Sequence, residues 1–140
     1  MRLAIAAAAL LAVTALVTGC GTADFDSGAS FPEAEQAFRA AGLQICSTTT
    51  PEVRAPDATA ERVYDLQRTC DRDDGDGVLV TVTEYPTEGD RDAALGRYDA
   101  QARPAGVLWT LGTLTISASG DRDGRAVDDL TGALDDAGAK

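Results

Sequence analysis

The sequence contains no histidine. The commonest general base and the commonest nitrogen ligand for metals are therefore missing. No Ser-His-Asp triad or Cys-His pair can form. Lysine is nearly absent too: of twelve basic residues eleven are arginine, and Lys140 stands at the end of the given sequence. A buried lysine nucleophile is thus not on offer. Aromatic residues make up only 5% and there is a single Trp. Basic charge is scarce against acid, with 12 Lys and Arg facing 23 Asp and Glu and a net charge of −11. That balance excludes ordinary nucleic-acid binding, which needs basic residues to neutralise phosphates. It also excludes a domain lying flat on anionic lipid. Of the chemistry-bearing groups, only carboxylates are plentiful. An acidic chain offers carboxylate pairs by chance, as with Asp92 and Asp99, two helical turns apart on a solvated face.

What is present begins with residues 1–20, MRLAIAAAALLAVTALVTGC. Arg2 is followed by an apolar run over residues 3–17, broken only by Thr14, and then by Thr18, Gly19 and Cys20. This order is that of a secretory signal sequence. The apolar run is shorter than the ~20 residues a spanning helix needs. The ending Val17-Thr18-Gly19-Cys20 is similar to the lipobox of bacterial lipoproteins. The resemblance covers residues 1–20 and implies three things: cleavage before Cys20, lipid on the Cys20 sulfur, and acyl anchoring to the cell membrane with the domain extracytoplasmic. Two acyl chains are enough for stable anchoring. Cleavage would remove Arg2 and take the charge from −11 to −12. The arginine preference with heavy Ala, Gly and Asp use is that of a GC-rich bacterial genome.

With Cys20 given to lipid, Cys46 and Cys70 remain, and an even pair in an exported chain reads as a disulfide. The other reading is two separate thiols. A bridge would contribute about 3–4 kcal/mol by restricting the unfolded chain.

The division that follows is a signal peptide over residues 1–19, a lipidated cysteine and tether over 20–29, and one domain over 30–140. The tether, CGTADFDSGA, is polar and without period, with a span of roughly 15–20 Å for a flexible linker. Ser30-Phe31-Pro32-Glu33 has capping-box spacing with Pro in the first turn. Ala34, Ala37, Phe38 and Ala41 follow at helical spacing, and Gly42 is the stop. Residues 43–46 read as a short strand and 47–60 as a loop. Thr48, Thr49 and Thr50 beside Pro51 form either a solvated loop or an acceptor for O-linked sugar.

Residues 58–67 satisfy two patterns. Tyr64, Leu66, Arg68 and Cys70 alternate as in a strand, while residues 58–67 also suit a helical turn or two. A strand from about Arg62 is chosen, because a turn cluster and the β-branched run of residues 78–85 come next, completing a hairpin. Thr87 and Asp90 start a second helix ending before Pro104. Two strands over 107–111 and 114–119 flank a tight turn at Gly112-Thr113. Val127, Leu130, Thr131 and Leu134 give the last helix its buried stripe. The order is α-β-β-β-α-β-β-α. It predicts an α+β, two-layer sandwich with an antiparallel sheet and helices on one face.

Candidate sites are few. Asp71, Asp73, Asp74 and Asp76 crowd one turn, but no calcium-loop register fits. Counting from Asp71 places Asp76 where the loop needs Gly, and counting from Asp73 puts Gly at positions 3 and 5. A self-repelling hairpin turn is the simpler reading. Trp109 is either a core anchor or a contact residue. Tyr64, Tyr85 and Tyr98 are expected to bridge sheet and helix. No motif implies a cofactor or a metal, and no catalytic residue is nominated. The leading functional expectation is a non-enzymatic binding or accessory module that meets another envelope protein or a small ligand through the exposed sheet face or a loop. A small carrier of apolar ligands is the alternative, since alanines on the helical faces either leave room for a pocket or pack helix closely on sheet. An enzyme working with carboxylates alone is the third.

The disulfide has a direct chemical check. Alkylation of the denatured, unreduced protein should leave Cys46 and Cys70 unmodified, and prior reduction should add two alkyl groups. Two groups added without reductant refute the bridge.

Overall fold

The structure, a computed structural model, describes residues 30–71, 77–99, 106–120 and 124–140. The signal segment, the tether, and Asp73, Asp74 and Asp76 of the acidic turn lie outside the described residues, as does the side chain of Tyr98. Helix α1 spans Phe31–Ala40 and is followed by strands β1 (Gln44–Thr49), β2 (Ala60–Gln67) and β3 (Val78–Glu84). Helix α2 (Glu88–Asp99), strands β4 (Val107–Leu111) and β5 (Leu114–Ser119), and helix α3 (Arg125–Asp136) complete the chain. The expected element order is present. The strands form one antiparallel sheet in the order β1-β2-β3-β5-β4.

Helix ends follow local chemistry. The Glu33 carboxylate accepts the Ser30 N–H at 2.5 Å, closing the capping box of α1. Gly42 takes a φ of 75°, letting Leu43 N–H reach the Phe38 carbonyl at 3.1 Å. This is a left-handed stop that a Cβ would disfavour. The Thr87 hydroxyl accepts the Asp90 N–H at 3.1 Å at the start of α2. In the β4–β5 turn Gly112 has a φ of 53° and Thr113 has none of the positive sign, the pattern of a type II′ hairpin.

Two boundaries differ from expectation. β1 runs on through Thr49, into residues read as loop. Thr48 and Thr49 pair with Tyr64 and Val63, so tertiary pairing overrides a turn-like composition. β2 begins at Ala60 and ends at Gln67, earlier at both ends than predicted, and residues 60–67 are strand rather than helix. Beyond Gln67 the chain leaves the ladder, and Arg68 pairs with Asp129 of α3.

One face of the sheet carries the core. Tyr64, Leu66, Val78, Val80 and Val82 are fully buried on β2 and β3. Leu114, Ile116 and Trp109 continue that face across β5 and β4. Trp109 is 4% exposed, which makes it a core anchor. Helices α1 and α3 contact each other and cover this face with Ala34, Phe38, Ala126, Leu130 and Leu134. Phe38 meets Tyr64 edge to face, with ring centroids 5.3 Å apart.

The other face is largely neutral. Thr81, Thr83, Thr115 and Ser117 form its centre, and Leu79 and Leu108 are exposed on it. Toward one end Thr83 and Thr115, cross-strand partners, are buried. The segment before β2 meets the sheet there: Glu61 Oε2 accepts from Ala55 N–H and from the Thr83 hydroxyl, both at 3.1 Å. Helix α2 contacts β5 and is tied to the same segment by Arg97 and Asp57 at 2.6 Å.

Both sheet edges are blocked. β1 has a bulge between Ile45 and Ser47 and carries Cys46. β4 pairs with the last residue of the sequence, Thr110 and Lys140 exchanging backbone hydrogen bonds of 2.8 and 2.9 Å. Bulges and covered edges prevent strand addition.

Phe38→Ala should lower stability by about 3–5 kcal/mol, because it empties the contact with Tyr64 under α1. Leu79→Thr, on the open face, should stay within about 0.5 kcal/mol. Urea denaturation measures both.

Candidate functional site

The sequence-predicted pair comes together. Cys46 on β1 and Cys70 just past β2 form a disulfide with Cα atoms 5.3 Å apart. It links the bulge of the edge strand to the chain entering the acidic turn, so it holds β1 on the sheet. Cys20 lies outside the described residues. Thr48, Thr49 and Thr50 are exposed along the β1 edge and its exit. Among the described residues no three His, Cys, Asp or Glu side chains converge as a metal site.

One polar cluster is built where α1 crosses β2. The Tyr64 hydroxyl donates to Glu35 Oε1 at 3.1 Å, and Arg62 Nη1 lies 3.6 Å from the same oxygen. Arg39, one turn along α1, is 3.5 Å from Glu35 Oε2. The Arg62 guanidinium also sits 4.3 Å over the Phe31 ring. Glu35 therefore has donors on both carboxylate oxygens. Burial raises the Tyr64 phenol above its ordinary value of 10.0, and the Glu35 carboxylate raises it further while Arg62 opposes. This cluster clamps helix to strand. It presents no acid free for proton transfer.

A second cluster joins α2 to the β4–β5 turn. Arg91 donates to the Gly112 carbonyl, and its Nη2 lies 2.7 Å from Asp92. The Arg91 side chain is 11% exposed, so its charge is spent on positioning the turn.

That turn also lines a groove of about 520 Å³ between α1 and α3. Ala37 and Ala40 of α1 face Ala133 and Ala137 at the end of α3. Leu111 and Gly112 close the bottom. Glu33, Gln36 and Asp136 are the polar side chains of the lining. Small side chains on both helices leave the space, and the groove is partly open to solvent. No aromatic residue lines it, unlike an ordinary small-molecule pocket.

Close helix–sheet packing is the favoured reading of the helical alanines, and Ala34 and Ala37 are buried in that way; four alanines, Ala37 among them, also line this groove between the helices. Leu111, Gly112, Glu33 and Asp136 carried no advance signal as its partners. Their meeting depends on the sheet order, which brings the β4–β5 turn beneath both helices. No family model, curated protein or solved structure compared with the chain matches it.

The Tyr64 shift has a sign that can be tested. A phenol whose folded pKa is raised adds stability that is complete below pH 10.0 and is lost as pH rises through the folded value. Alkaline denaturation midpoints should fall above about pH 10. Tyr64→Phe, which cannot ionise, should flatten that decline.

Proposed function

We propose that this chain is a lipid-anchored, non-enzymatic binding module held at the outer face of a bacterial cytoplasmic membrane. The observation that carries the reading is the basic n-region, apolar stretch and Val17-Thr18-Gly19-Cys20 ending of residues 1–20. Cysteine arithmetic supports it. Three cysteines are present, and the Cys46–Cys70 bridge leaves Cys20 as the one thiol for acylation. No helix among the described residues is long and apolar enough to cross a membrane. Acyl chains on Cys20 would then be the attachment, with residues 21–29 as a short tether.

The binding role follows from the chemistry on hand. The chain has no histidine, and its engaged carboxylates, Glu35 and Glu61, are held by neighbouring donors. The groove between α1 and α3 supplies a concave surface for an envelope partner. A carrier of apolar ligands would need an enclosed apolar cavity, and this groove is open with acids beside it. Strong negative charge keeps the domain off anionic lipid and soluble beside it.

In a bacterial host, the full chain should incorporate a clickable fatty acid and sediment with membranes. Cys20→Ser should lose the label and release the protein from the membrane fraction. A wild-type chain that sediments without label overturns the anchor.

A further inference from the structure

Two features of the α1–α3 groove answer to one ligand chemistry. Its walls are short and apolar, from Ala37, Ala40, Ala133 and Leu111, while Glu33 and Asp136 stand beside them with no basic residue in the lining. A long cationic side chain fits such a surface. Its methylene stem lies on apolar wall and its charged head stays at the wet, acidic margin.

The end of α3 is the second feature. Helices α1 and α2 place acids in the first turn and Arg39 or Arg97 in the last. That arrangement complements the helix dipole. Helix α3 ends on Asp135 and Asp136 with no basic residue in its last turn. Neither aspartate has an ion-pair partner among the described residues. Negative charge at the negative end of a helix destabilises it, and an incoming cation relieves that.

We propose that the α1–α3 groove docks an arginine- or lysine-bearing segment of a partner protein, with the cationic head at Asp136 and the stem against the alanines; Glu33, whose Oε2 is engaged by Ser30, adds only background negative charge. This rests on reading the chain as a binding module. A free polyamine shares the chemistry. The groove is partly open to solvent, so a side chain can enter while the backbone of its segment stays outside.

The test uses the full chain in zwitterionic detergent and a short, blocked arginine–alanine peptide as probe. A glutamine–alanine peptide and spermidine serve as comparisons. The arginine peptide should bind, shift the amide signals of Ala37, Gly112, Ala133 and Ala137, and outcompete spermidine. Ala133→Leu fills the groove without altering charge and should weaken binding at least about tenfold. Asp136→Asn should weaken it about two- to fivefold, the range for an exposed charge. Should Ala133→Leu fail to fold, Asp136→Lys at an exposed position decides, and its undiminished binding overturns the proposal. So does equal binding of the glutamine peptide, tighter binding of spermidine, or shifts spread over distant acids such as Asp65 and Asp92. Affinity capture from solubilised envelope separates this inference from the broader one. A specific partner retained equally by wild type and Ala133→Leu overturns the groove and leaves the binding module. A specific partner lost with Ala133→Leu supports both. No partner with either protein removes the binding-module reading on which the groove depends.

Discussion

The contact between α1 and the middle of β2 organises the rest of this domain. Phe38 meets Tyr64 edge to face beneath the helix, and the Tyr64 hydroxyl reaches back up to Glu35 on the next turn. One strand residue thus fixes both the height and the rotation of the helix. Because side chains alternate along a strand, placing Tyr64 inward also places Leu66 inward and turns Val63 and Asp65 outward. Antiparallel pairing carries that choice across the sheet, through Val80 opposite Tyr64 and Ala118 opposite Val80. A one-residue slip in any ladder would put threonines and serines under the helices. The alternation of valine and threonine in β3 is the sequence form of the same constraint.

With one face used for the core, charge and edges decide how the domain meets its surroundings. The outer face is built from hydroxyl side chains with Leu79 and Leu108 between them. Its two edges are closed by different means, a bulge with a disulfide on β1 and a backbone pair to Lys140 on β4. The net charge of −11 opposes self-association and close approach to anionic lipid. Against that background the acids at the end of α3, without an ion-pair partner among the described residues, are not a general surface property. They sit at the negative pole of a helix whose alanines border a groove, and this local imbalance is what the proposed cationic partner would relieve.

Legibility varied with how local the controlling physics was. Helix α1 could be read from Ser30, Pro32, Glu33 and Gly42, because caps and stops are interactions within one turn. The β4–β5 hairpin followed from Gly112 alone, for the same reason. Strand β1 was read too short, because Ser47 and the nearby Pro51 outweighed the β-branched Thr48 and Thr49 in the local pattern. Residues 47–49 are held by Val63, Tyr64 and Asp65 on a strand more than ten residues later. The ambiguity over residues 58–67 had the same source and was resolved by pairing on both sides of β2. The disulfide was legible by counting, since only two cysteines were left once Cys20 was assigned to the lipobox-like ending.

The sequence by itself determined the α+β class, the order of the eight elements, the bridge between Cys46 and Cys70, and the kinds of chemistry that missing histidine and scarce lysine exclude. These depend on composition, on period and on contacts within a few residues. Only the tertiary structure decided that β5 inserts between β3 and β4, and that Arg91 grips the turn at Gly112. It also decided that Ala133 and Ala137, about a hundred positions beyond Glu33, border the same groove. Those juxtapositions arise from packing two helices over one face of a twisted sheet. No local pattern encodes them, because their energy comes from burial shared among elements far apart in the chain.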